Sequence, residues 1–138
     1  MNWCLKMCPE LFDQNSGCIG PRGDGYVADS AMSVNEAERY HRAQISTFAD
    51  TAAVMVTAIT MNYVEEAAGV ALAAKQAKMP VVISFTVETD GRLPTGQSLA
   101  SAITQVDAVT SGYPAYYMIN WAHPSHFNKI LHGDEPWT

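Results

Sequence analysis

Positive charge is scarce in this chain: 8 Lys and Arg stand against 14 Asp and Glu, for a net charge of -6 at pH 7. Nucleic-acid binding needs a basic face for the phosphates, and an anionic membrane surface needs the same, so the charge balance argues against both partners. Long apolar runs are missing as well. None reaches the roughly 18 residues of a transmembrane helix. The opening MNWCLKMCPELF holds one Lys and no long apolar stretch, so no signal peptide is read and the expected location is the cytoplasm. Cysteine is confined to Cys4, Cys8 and Cys18. An odd number without an export signal favours free thiols. Cys4 and Cys8 have a loose zinc spacing, but no second pair follows; ordinary reduced thiols are the alternative. No GKS or GKT is present, so the glycine-rich residues 17–29 are not a P-loop. Order alone supports no Ser-His-Asp arrangement.

What is present suits one domain with a real core: 138 residues, 48% hydrophobic and 16% charged. Residues 1–15 have no clear period, and Pro9 interrupts their apolar positions; they read as an irregular segment ahead of a domain over 16–138. Residues 17–29 read as a glycine-rich turn at the carboxyl end of a strand. Arg22-Gly23-Asp24 spells an adhesion tripeptide, but here it reads as loop. Ser33 and Glu36 form a capping box, opening a helix to about Asp50 with Ala37, Tyr40, Ile45 and Phe48 on one face. Residues 53–60 are apolar throughout, as buried parallel strands are. Asn62 to Glu65 repeat the capping signature before an alanine-rich helix to about Lys78, striped by Val64, Ala68, Ala71, Leu72 and Lys75. Pro80 starts a second apolar strand over 81–87. After a polar loop, Ser98 opens a helix, and Gly112 and Pro114 close it. A strand over 115–120 and a short helix over 125–131 follow.

The clear strands begin near residues 53, 81 and 115. Apolar strands joined by helices predict an α/β fold with a parallel sheet and right-handed crossovers. A (β/α)8 barrel needs about 250 residues, so periodicity leaves open a half-barrel or a small open sheet.

The succession SGCIGPRGDGY, AVMVTAIT, PVVISFTVETDGRLPTGQSL and YYMINWAHP resembles the homocysteine S-methyltransferase family from about Ser16 to Trp137. The resemblance implies a partial (β/α)8 barrel, covering strands three to six. It implies homocysteine and a methyl donor such as S-methylmethionine as partners, with methyl transfer to the thiol giving methionine. Family members hold zinc through three cysteines, which makes the thiolate available at neutral pH. One of those cysteines follows the Asn at the end of the sixth strand; here that position is Trp121, whose indole nitrogen is a donor only. The family's Cys-Cys pair has no counterpart, its acidic residue after the fourth strand is Ile59, and Cys18 matches no ligand position. The expectation is therefore a truncated family member with no cofactor of its own, inactive alone. Two alternatives stand beside it: a half-barrel completed by a partner chain, and a non-enzymatic α/β module that binds a small amino acid or thiol. Unpaired sheet edges make self-association an expected property.

The candidate substrate-binding residues are Thr60, Ser84, Glu88 and Asn120. Asn120 and Thr60 match family positions; Asn120 reads either as an orienting residue or as a loop cap. Ser84 and Thr86 alternate with Phe85, so the hydroxyls share one face of their strand. Glu88 and Asp90 follow that strand, where a carboxylate can hold an amino group or simply face solvent. His123, His126 and His132 lack the further ligand a metal site needs.

Overall fold

The computed structural model describes residues 15–28, 31–120 and 122–127. Four strands alternate with four helices: β1 (Ser16–Ile19), α1 (Val34–Ala49), β2 (Met55–Met61), α2 (Val64–Gln76), β3 (Val81–Thr86), α3 (Leu99–Thr110), β4 (Tyr116–Asn120) and α4 (Pro124–Phe127). The strands pair in chain order, β1-β2-β3-β4, and every pairing is parallel. An open doubly wound sheet reverses its order at a switch point. Here the order never reverses, and α1 packs on α2 and α2 on α3, so successive helices share one face, as right-handed crossovers require, and the sheet is the arc of a barrel wall.

The core lies between that wall and the helices. Val81, Ile83 and Phe85 of β3 join Ala67, Ala68, Val70, Ala71 and Ala74 of α2, and Leu99, Ala102 and Val106 of α3. All six residues of β3 are buried, which explains its uninterrupted apolar reading. Alanine keeps α2 thin, and Gly69 lets α1 approach it. A Cβ on Gly69 would stand 2.7 Å from the Glu38 amide nitrogen and 2.8 Å from the Val34 carbonyl. No helix of the described residues is long and apolar enough to cross a membrane.

The α1 cap forms as expected: the Ser33 hydroxyl accepts from the Glu36 amide, and Glu36 reaches back to the Ser33 amide. Three local expectations differ. The buried stripe of α1 is Ala37, His41 and Ile45, while Tyr40 is exposed. Asn62 does not cap α2. Tyr63 is the N-cap, without a side-chain bond, and Asn62 Nδ2 donates to the Asp24 carbonyl at 2.7 Å. The side chain is turned toward the loop after β1, and among the described residues its Oδ1, the atom that would accept as a cap, has no hydrogen-bond partner. Gly17 belongs to β1 rather than to a turn: it pairs with Val56 of β2, and glycine is needed there because the Phe48 ring sits 2.5 Å from where a Cβ would be. Residues 1–14, and with them Cys4 and Cys8, lie outside the described residues, as do Trp121 and His132.

Candidate substrate site at the strand ends

In parallel α/β folds chemistry gathers at the carboxyl ends of the strands. The structure brings Thr60, Ser84 and Asn120 together there, from β2, β3 and β4. The Ser84 hydroxyl donates to Asn120 Oδ1 at 2.6 Å, and the Thr60 amide donates to the same oxygen at 3.1 Å. Asn120 Nδ2 donates to Thr86 Oγ1 at 3.3 Å. One amide therefore spans the last turn of register across β3.

The β2 end is irregular. Ala58 faces Ile83 but Met61 faces Phe85, so β2 carries an extra residue against β3. Thr60 absorbs the bulge at φ 57, a left-handed conformation that a β-branched residue rarely adopts. Bulges recur beside active sites, where they re-aim a side chain. Asn120 holds the bulge by its amide, so its first role is to position.

Glu88 lies apart from this network. With Thr86, Val87, Thr89, Tyr26 and His126 it lines a cleft of about 140 Å³. That is well below the roughly 300–1,000 Å³ of drug-sized sites. Thr86 is common to the two parts: its hydroxyl oxygen accepts from Asn120, and the residue lines the cleft. Asp90 is taken up by its own turn, where Oδ1 accepts from the Arg92 amide at 3.0 Å.

A buried polar cluster behind the loop after β1 was not among the sequence candidates. His41 Nε2 lies 2.9 Å from Glu66 Oε1, with both side chains 1% exposed. The Arg22 amide donates to the same Glu66 oxygen at 2.7 Å. Burial alone would raise the Glu66 carboxyl; the hydrogen bonds from His41 and the Arg22 amide, the His41 charge and the Tyr63 hydroxyl outweigh it and hold the carboxyl below its usual range. Burial pushes the Tyr63 hydroxyl up to about 12, and its oxygen accepts from the Met32 amide at 3.1 Å. The signal was available: Ala37, His41 and Ile45 recur every four residues, and Glu66 stands among alanines.

The described residues do not fit zinc. No group of three or more His, Cys, Asp or Glu converges among them. His123 and His126 have ring centroids 6.1 Å apart, and His123 Nδ1 is engaged by the Ser125 hydroxyl at 2.9 Å. Cys18 is a free thiol on β1.

An arc of parallel strands alternating with helices, paired in chain order, defines a piece of a (β/α) barrel. The sequence model of the homocysteine S-methyltransferase family matches residues 6–134, and the chain belongs to that family. Among solved structures, the apo homocysteine methyltransferase MmuM from Escherichia coli is similar in fold, with a TM-score of 0.60 and 22% identity. The match covers 75% of this chain and 37% of that one, so the chain spans well under half of its structural neighbour. A sequence search of curated proteins finds no match.

Proposed function

We propose that this chain supplies homocysteine-binding strand ends of a methyltransferase barrel, and that its own residues do not complete methyl transfer to the thiol. The observation that carries the first half is the Asn120 amide, which ties Thr60, Ser84 and Thr86 into one rigid edge beside the cleft. An amino acid presents an ammonium and a carboxylate. Glu88 offers the ammonium a carboxylate, and the Thr86 hydroxyl offers the ligand carboxylate a donor. Thr60 and Ser84 act through the shape of the edge, because Asn120 already engages the Thr60 amide and the Ser84 hydroxyl. The second half rests on the donor set. The family's thiolate position holds Trp121, and an indole cannot ligate zinc.

Calorimetric titration of the purified chain with homocysteine tests the binding half. Saturable heat is expected, reduced about tenfold in affinity by Glu88→Gln, since a charged hydrogen bond contributes about 1.5–3 kcal/mol. Silence for both homocysteine and methionine sinks it. One observation favours completion by another chain: among the described residues, β1 and β4 are each paired on one side only. Such edges template pairing. Sedimentation should then show a concentration-dependent dimer or larger species; a monomer throughout contradicts this.

A further inference from the structure

The loop after β1 is held by α2 at two points. The Arg22 amide donates to Glu66 Oε1 at 2.7 Å, and Asn62 donates to the Asp24 carbonyl at 2.7 Å. Between these anchors and the cleft the chain is short. Asp24 Oδ1 accepts from the Tyr26 amide at 2.7 Å, closing an Asx-type turn. Gly25 lies against Thr60, where an added Cβ would meet the Thr60 Cβ at 3.2 Å. Tyr26 itself is a wall of the 140 Å³ cleft.

Glu66 is the costly member of this arrangement. A carboxylate that is 1% exposed on an alanine-rich helix needs several donors to persist there. It faces His41 from α1, Tyr63 from its own helix and Arg22 from the loop, and Asp24 lies across a small cavity of about 10 Å³ that Glu66 also lines. Among the described residues, His41 Nδ1 has no hydrogen-bond partner. Simple helix packing would be served as well by an apolar pair. What an apolar pair could not do is accept the Arg22 amide.

We propose that Glu66 is a positioning residue for the cleft: by accepting the Arg22 amide it fixes the loop after β1, and through the Asp24 turn it sets Tyr26 as the cleft wall. The inference deepens the homocysteine-binding reading and rests on it for the ligand, while the loop restraint is measurable without any ligand.

The test is amide hydrogen exchange on the intact chain, paired with homocysteine titration, for wild type, Glu66→Gln and Glu66→Ala. Gln keeps an acceptor for the Arg22 amide; Ala keeps none. Glu66→Ala should speed exchange at the Arg22 and Tyr26 amides at least tenfold relative to Ile83 in β3, and weaken homocysteine about tenfold. Glu66→Gln should restore both to within about threefold of wild type. A general loss of fold would instead speed Ile83 in step, and Gln would rescue no better than Ala; either result overturns the positioning role. Unchanged homocysteine affinity in a loosened Glu66→Ala variant overturns the link to the cleft. If wild type binds no homocysteine, the functional reading fails, and the link to a homocysteine cleft falls with it. The exchange data then still decide whether Glu66 holds the loop.

Discussion

Replacing Asn120 by Ala removes the one amide that joins three strands, and its effect can be worked from the contacts. The Ser84 hydroxyl is 1% exposed, so stranding it costs about 1–3 kcal/mol. The half-exposed Thr60 amide can turn to water, so its bond contributes about 0.5–1.5 kcal/mol. Strain works the other way. Thr60 sits at φ 57, and a left-handed non-glycine residue stores about 1–2 kcal/mol, part of which is released with its amide. The net loss is about 1–3 kcal/mol, or a Tm drop of about 3–15 °C for a domain of this size. Urea and thermal unfolding by circular dichroism measure both. Thr60→Gly supplies the second arm, because glycine adopts this φ without a Cβ clash and should stabilise the wild type by about 0.5–1 kcal/mol. In the Asn120→Ala background that gain should shrink, because the restraint that maintained the strain has gone. Contacting residues couple by about 0.5 kcal/mol or more, and independent ones add within about 0.3–0.5. Additive effects, or an Asn120→Ala protein as stable as wild type, would refute the reasoning.

Other consequences are as direct. Gly69→Ala drives a methyl into the α1 backbone at Glu38 and Val34 and should cost about 1–3 kcal/mol of stability, read from the urea midpoint at constant m-value. Tyr117 donates to Asp107 at 2.6 Å, and burial together with that carboxylate raises its hydroxyl; Tyr117→Phe should lose about 1–2 kcal/mol and leave the far-UV spectrum intact. The Glu66 carboxyl is lowered in the fold, so its stabilisation is complete above the unfolded value near 4.5 and is lost as pH falls through the folded value. Urea midpoints taken from pH 7 to 3 should fall below about pH 4.5, and Glu66→Gln should flatten part of that slope.

The centre of the arc was legible because β3 is buried along its whole length: residues 81–87 read as strand from their apolar run, and Ser33 with Glu36 marked the start of α1 locally. The site was partly legible. Asn120, Ser84 and Thr60 were identified by place and resemblance, and the structure joins them by hydrogen bonds that no spacing encodes, across 36 and 60 residues. What escaped was tertiary satisfaction of polar groups. Asn62 carries a capping residue type and spends it on the Asp24 carbonyl. His41 and Glu66 lie on helices whose amphipathicity was judged by apolar residues, so Tyr40 was placed on the stripe that His41 occupies. A buried polar pair is invisible to hydropathy until its partner is known. Gly17 misled for a related reason: glycine marks close approach as well as turns, and here the approaching group is the Phe48 ring.

The central claim is that these strand ends hold homocysteine while the chain's own residues stop short of the transfer. The most direct measurement is methionine formation by the purified chain, given homocysteine, a methylsulfonium donor and added zinc, with bound metal quantified on the same sample. The expected result is homocysteine binding with no methionine above the buffer control and no stoichiometric zinc. Catalytic turnover to methionine by a chain carrying one zinc would contradict it.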